Sequence, residues 1–305
     1  MPPIRTPSFT RRELLTAVGS ATALSATNVA GSSETSVQEA TLHVRVYPGP
    51  VSVFTWLRNG WSDFVSGWFD VHRDAMAAVE TALERIATYA EANSSLDHVE
   101  TSVEACDPVD FSLVTPDSFS LFSQEALLDA FHEEVHDRQV NMGSTCHLLL
   151  WWNALNYDLG YGGTRAPNTH VGALEGEDSQ TIANLGATEA WDSRAVTRNI
   201  AIHETLHTFL SPDVVEEVVD SRCDHNLGTA VRVDEDTLEV SPMATAYAGP
   251  DEYGGGTRWH GTGCYDHDSF AHHDGYEDAE NWEYTTELSD ATLEATTLYI
   301  ERYLA

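Results

Sequence analysis

His203-Glu204-Thr205-Leu206-His207 reads H-E-x-x-H within an apolar segment. On a helix, residues i and i+4 share a face, so the two imidazoles can grip one zinc ion between them. Glu204 then lies one position off that face, where it can act as general base toward a zinc-activated water. The chain holds a second such pentad, His132-Glu133-Glu134-Val135-His136, and the flanks separate the two. Ile200-Ala201-Ile202, Thr205-Leu206 and Thr208-Phe209-Leu210 carry no charge, so the later pentad tolerates burial. The earlier one has Glu134 at an inner position and Asp137-Arg138 behind it. Burying those carboxylates unpaired would cost several kcal/mol or force their protonation. The earlier pentad is therefore read as a solvated acidic helix face.

The elements that must position the later pentad can be read from periodicity. Thr41 to Tyr47 alternates and stops at Pro48-Gly49-Pro50, which suggests a first strand. From Trp68 to Asn93, apolar positions at Ala75, Val79, Ala82, Leu83, Ile86 and Ala90 have helical spacing. His98 to Ala105 alternates as a second strand, and Ser123 is placed to cap a helix running to about Arg138. Cys146 to Trp152 is apolar enough for a strand buried on both faces. Gly160 to Thr164 reads as a glycine-rich turn, followed by short extended stretches around His170–Leu174 and Ile182–Ala187. Asp192 or Ser193 opens the motif helix, expected to end near Leu210, before Pro212. Residues 213–288 read as loop, and Ser289 caps a last helix, Ala291 to Tyr303.

Composition bounds the setting. The chain has 305 residues, a formal net charge of -34 and fifteen basic residues, all arginine. An acidic surface without lysine stays hydrated in concentrated salt, as in salt-adapted archaea. Such a surface makes nucleic acid and anionic membranes poor partners, and neither is expected. Thr10-Arg11-Arg12-Glu13-Leu14-Leu15 resembles a twin-arginine export motif, with an uncharged run of small and apolar residues to Ala30. That run is too short and weakly hydrophobic for a permanent span, and no cysteine near its end offers a lipid anchor. The expected organisation is a signal peptide over 1–31, a linker over 32–40, and one domain over 41–305 with lobes 41–210 and 211–305. A secreted or cell-surface location follows. The linker leaves no room for a folded propeptide.

Cys106, Cys146, Cys223 and Cys264 lie in the exported part, where disulfides are the default. Three pairings are open, and one bridge in each half, Cys106–Cys146 and Cys223–Cys264, is the expected arrangement. No pair has C-x-x-C spacing, so a cysteine-based metal centre is not expected. His260, His267, His272 and His273 form a His/Asp-rich patch, read as surface histidines, with a second metal site as the sharper alternative. The acidic clusters could take structural calcium, but no EF-hand spacing is present.

At His203, Glu204 and His207 the chain resembles the metzincins, zinc endopeptidases with H-E-x-x-H-x-x-G-x-x-(H/D) and a later methionine turn. Ser241-Pro242-Met243-Ala244 is similar to that turn, and the order of elements agrees. The resemblance implies an α+β fold: a mixed twisted sheet with long helices, an active-site helix carrying the motif, and an irregular C-terminal lobe ending in a helix. Where the clan has glycine this chain has Leu210, which does not easily take the left-handed conformation that ends the helix. Asp213 occupies the third-ligand position, as in the snapalysin-like subset. If the chain instead loops back later, His225 becomes the third ligand, with Asp224 or a backbone carbonyl orienting its other nitrogen. Glu216 or Glu217 would be a gluzincin-like alternative. Tyr247 follows that turn at a longer spacing than the clan's oxyanion-stabilising tyrosine, so it is read either as an ordinary packed or exposed tyrosine or, as the resemblance implies, as an oxyanion stabiliser.

The function these readings imply is a secreted, halophilic, zinc-dependent metallopeptidase acting on a peptide or protein substrate. The alternative from another class is a non-catalytic exported envelope or binding protein that keeps a zinc-binding scaffold. Nothing in the sequence sets an oligomeric state.

Overall fold

Ala40, Leu42, Val44 and Val46 alternate along one side of the first strand, and that side is buried. In the computed structural model this strand, β1, runs from Glu39 to Pro48, two residues earlier than the sequence suggests. The structure describes residues 38–51, 67–109, 111, 124–138, 145–152, 160–165, 179–249, 261 and 263–305. The twin-arginine segment, most of the linker, Ser123, His170–Leu174 and His260 lie outside the described residues.

Parallel strands flank β1 on both sides. In β2 (His98–Ala105) Val103 sits opposite Val44, and in β3 (Thr145–Trp151) Cys146 does. Beyond β3 comes β5 (Ser179–Asn184), parallel to it. The outermost strand, β4 (Gly162–Arg165), is antiparallel to β5, giving the order β2-β1-β3-β5-β4. Parallel neighbours need crossover connections, and from β1 to β2 and from β2 to β3 helices lie in them. α1 (Asp70–Asn93) joins β1 to β2, and α2 (Gln124–Asp137) lies between β2 and β3.

All seven residues of β3 are buried, and alternate ones serve different cores. Leu148 and Leu150 join the large core, to which α1 contributes Ala75, Val79, Leu83 and Ile86. Leu149 and Trp151 join a smaller core with Leu127, Leu128, Phe131 and Val135 of α2. Those four are the apolar stripe of α2, which takes Val135 of the earlier pentad and leaves its histidines and glutamates on the flanks. His136 is exposed, His132 is hydrogen-bonded to Gln180, and Glu134 pairs with Arg138 at 2.7 Å.

The sheet register overturns one expected disulfide. Cys106 directly follows β2 and Cys146 lies on β3, with β1 between them, and strands two apart are about 9–10 Å from each other, too far for a disulfide. Both remain thiols, and the disulfide present joins Cys223 to Cys264.

Two local expectations also change. Gly160 and Tyr161 make a turn, but the glycines that follow belong to β4. The stretch read as extended to Ala187 leaves β5 at Asn184, whose side chain accepts the Ala187 N–H at 3.3 Å and starts α3 (Leu185–Trp191).

The motif helix α4 (Arg194–Leu206) starts at Ser193, whose hydroxyl accepts the Val196 N–H. It packs on α1, on β4 and β5, and on the second sheet. After one 3-10 turn, His207–Phe209, Leu210 is extended (φ -131°, ψ 135°) and α5 (Pro212–Val219) begins. The region expected to be loop thus holds α5 and a four-stranded sheet. Its strands are β6 (Thr229–Arg232), β7 (Thr237–Val240), β8 (His272–His273) and β9 (Asn281–Tyr284), in the order β8-β6-β7-β9. α6 (Asp290–Tyr303) closes the chain, capped by Ser289, which accepts the Thr292 N–H at 3.0 Å. The described residues therefore form a mixed α+β structure with two mixed sheets and six helices. No helix among them is long and apolar enough to cross a membrane.

Candidate metal centre

α4 is buried on nearly every side, including His203 and Glu204. His207 keeps right-handed helical angles as it opens the 3-10 turn, so it stays on the His203 face. The two rings are perpendicular, with centroids 4.6 Å apart. A third imidazole arrives from the short turn Asp224–Leu227: His225 stacks parallel to His203 at 5.1 Å and perpendicular to His207 at 5.1 Å. One nitrogen from each ring falls within 4.8 Å of the others.

The outer nitrogens are all committed. His203 Nδ1 donates to the Pro242 carbonyl at 2.8 Å, His207 Nδ1 to Asp224 Oδ2 at 2.7 Å, and His225 Nδ1 to the Cys264 carbonyl at 2.6 Å. These bonds fix the tautomers and turn the Nε2 lone pairs inward. His203 Nε2 and His207 Nε2 face each other at 3.0 Å. Two lone pairs so close repel unless a cation stands between them, either a proton or a metal ion. Three imidazoles of this kind suit zinc and leave a coordination position open. The residues present therefore fit a divalent metal.

Charge in the cluster follows from burial and from Asp224. Burial lowers the His203 pKa well below its usual value, and the neighbouring imidazoles add to this. Burial also brings His225 down to about 4, against an opposing pull from Asp224. Burial acts the same way on His207, but the Asp224 carboxylate outweighs it and raises His207 to about 9. Burial would raise Asp224, yet its pairing with His207 holds it strongly depressed. Glu204 is pushed up to about 7, chiefly by burial. Gly162 of β4 makes room for it: a Cβ there would lie 2.4 Å from Glu204 Cδ and 2.0 Å from the Ile182 carbonyl.

The turn Pro242–Ala244 lies beneath the cluster and supplies the carbonyl that holds His203; Met243 is fully buried. Gly228, just after the His225 turn, packs so tightly on Ala244 that a Cβ would meet its nitrogen at 2.2 Å. Tyr247 stacks on His225 with centroids 3.8 Å apart, and its hydroxyl accepts the Gly263 N–H at 3.1 Å. Burial raises the Tyr247 pKa, so the phenol keeps its proton. A cavity of about 730 Å³ opens over the three histidines, Glu204 and Tyr247.

Asp213, the alternative ligand, lies outside this cluster. Its carboxylate accepts from Ser211, from Arg302 at 2.9 Å and from Tyr303 at 3.1 Å, which ties α5 to α6. Glu216 pairs with Arg222, and Glu217 with Arg302. The reason lies in Leu210: its extended backbone carries the chain into α5 rather than back over His207. In the described part of the His/Asp patch the imidazoles are engaged in hydrogen bonds and form no metal-capable group. His267 donates to Tyr247 O and His273 to Ala248 O, while His272 pairs with Asp274. Among the described residues the metal-capable groups of three or more are the histidine cluster and Cys223, Asp224, His225 and Cys264. Sequence reasoning missed that Asp224 serves His207 rather than His225, and it missed Gly162 and Thr164 beside Glu204. A glycine pair inside an otherwise strand-like run was the available signal for the latter.

No family model matches the chain, and no curated protein matches it. Among solved structures it is similar to the crystal structure of metalloproteinase-II from Bacteroides fragilis, at 12% identity and a TM-score of 0.30. The match covers 56% of this chain and 42% of that one, less than half of the neighbour's length. At those values the likeness fixes neither fold nor activity, and the functional reading rests on the site itself.

Proposed function

We propose that this chain is a zinc-dependent metallopeptidase of metzincin-like type, exported by the twin-arginine route and working in concentrated salt. The observation that carries the reading is the cluster in which His203, His207 and His225 each spend Nδ1 on an acceptor and turn Nε2 inward, beside a buried glutamate. A zinc ion held by these three nitrogens would supply a Lewis acid that polarises a carbonyl and acidifies water. Glu204 would take a proton from the attacking water and pass it to the leaving amine. Its near-neutral pKa suits both transfers, and beside a divalent cation its carboxylate form dominates at neutral pH. Tyr247 lines the same cavity with a protonated hydroxyl, placed to donate to an oxyanion. A cavity over the site leaves room for a substrate beside Glu204 and Tyr247, and the acidic, lysine-free composition supports the salt-adapted setting.

The test is zinc content and peptide hydrolysis measured together in high salt, with and without a chelator. One zinc per chain and chelator-sensitive hydrolysis are expected. Stoichiometric zinc without turnover would instead favour a non-catalytic zinc-binding envelope protein. A chain that binds no zinc would end the metal-site reading altogether.

A further inference from the structure

The disulfide belongs to a second donor group that overlaps the first. Cys223, Asp224, His225 and Cys264 each offer a ligand atom, and all four atoms lie within 4.8 Å of one another. Asp224 and His225 are already members of the histidine cluster, Asp224 through its bond to His207. His225 stands between the two groups and shows each a different nitrogen. Its Nδ1 lies 3.7 Å from Cys223 Sγ, while its Nε2 is left to face His203 and His207. The spacing of the cysteines along the sequence gives no hint of this group; the fold assembles it by bringing residue 264 back onto the His225 turn.

Bonded to each other, the two sulfurs are poor ligands, because the thiolate is the metal-binding form. Cys264 is exposed, so a reductant in solution can reach the bond. We propose that reducing Cys223–Cys264 creates a second metal site, made of both thiolates, His225 and Asp224, that draws a thiophilic divalent cation such as zinc away from the three-histidine site. The exchange between sites rests on the three-histidine reading above.

The chemistry balances with a dithiol reductant. One of its thiolates attacks Cys264 Sγ and the Cys223–Cys264 bond breaks. Its second thiol then closes a disulfide in the reductant, leaving two protein thiols. Binding the cation releases both thiol protons. Two sulfurs, one nitrogen and one oxygen complete a tetrahedron, so this site has no open position. A neutral imidazole has a single in-plane lone pair. When His225 presents that pair at Nδ1, its hydrogen bond to the Cys264 carbonyl breaks, its proton moves to Nε2, and the histidine cluster loses its third donor. Asp224 has one oxygen for each group: Oδ2 is bonded to His207, and Oδ1 lies 3.9 Å from His225 Nδ1, on the side of the new site. Reduction would thus convert an open, solvent-accessible metal site into a closed one.

Cobalt(II) reads the two sites separately, because only thiolate ligation gives intense near-ultraviolet charge-transfer absorption. The full chain, stripped of metal and kept in high salt, is titrated before and after reduction with a phosphine, which leaves no added thiol. Oxidised protein is expected to bind one cobalt with weak visible bands alone. Reduced protein is expected to bind one cobalt with the charge-transfer band. The band must disappear in Cys264→Ser and persist in Cys106→Ser. If Cys264→Ser does not fold, alkylating the reduced wild-type chain must abolish the band instead. No band on reduction, or a band that survives loss of Cys264, overturns the proposal. His203→Ala separates it from the reading above: cobalt binding is lost in the oxidised form and kept, with its band, in the reduced one. Oxidised wild-type protein that binds no cobalt would sink the three-histidine reading, while the reduced-state band would still decide the second site.

Discussion

His207 is the residue on which protons and metal compete. Its pKa of about 9, against an ordinary 6.5, reflects the Asp224 carboxylate at 2.7 Å outweighing burial. A raised pKa means that the folded state holds the proton more tightly than the unfolded chain. In metal-stripped protein the stability from this pair is complete below about pH 6.5 and is lost as pH rises through about 9. Glu204 acts in the same sense, with its contribution complete below 4.5 and lost through about 7. The melting temperature of stripped protein should therefore fall between pH 6.5 and 9. Zinc affinity should have the opposite slope, because the ion must displace the His207 proton. Calorimetric titration across that window checks both, and an affinity that does not change with pH contradicts the assignment. Asp224→Asn should weaken zinc binding by about 10–100-fold, the usual effect of losing a ligand's orienting partner. Competition with a chromogenic chelator reads that change, and a variant with wild-type affinity would show that Asp224 does not orient His207.

At the scale of elements, the site depends on two close approaches and one cap. Gly228→Ala forces a Cβ against the Ala244 backbone, and should cost about 1–3 kcal/mol, as overpacking does. It should lower zinc affinity as well, since the His225 turn and the Pro242–Ala244 turn are pressed apart together. Chemical denaturation and metal titration of that variant test the link, and a stable variant with weakened zinc binding would still locate the strain at the site. Ser193→Ala removes the cap of α4 and should cost about 1 kcal/mol, with zinc stoichiometry unchanged. How much of this was legible in the sequence depended on the range of the signal. The i, i+4 spacing of His203 and His207 is local, and it places both on one helix face without reference to the rest of the chain. The apolar periodicities of α1, α2 and β3 run long enough to mark those elements. His225 could be named only as one of several third ligands, because the choice turned on the backbone angles of one residue, Leu210. Extended rather than left-handed, it sends Asp213 to Arg302 and Tyr303 of α6. The second sheet was invisible because its strands are two to four residues long, too short for alternation to show. The Cys106–Cys146 pairing failed for a similar reason, since sheet order is not written in the spacing of cysteines.

For the whole molecule the governing quantity is charge. A net charge of -34 on 305 residues destabilises the compact state by self-repulsion, and salt relieves it. At 1 M the screening length is about 3 Å, shorter than most spacings between surface charges. The melting temperature should climb with salt up to molar concentrations, and scans at graded salt would contradict the halophilic reading if it stayed flat or fell. Activity should follow the folded fraction over the same range. The central claim joins a metal site to a proton-transferring glutamate, and one variant tests both. Glu204→Ala, purified in high salt, is assayed for zinc per chain and for peptide hydrolysis on the same sample. Zinc retained at one per chain, with hydrolysis reduced by about 10²–10⁴-fold, is the expected result. Hydrolysis that persists at the wild-type rate would contradict the mechanism and remove Glu204 from the reaction.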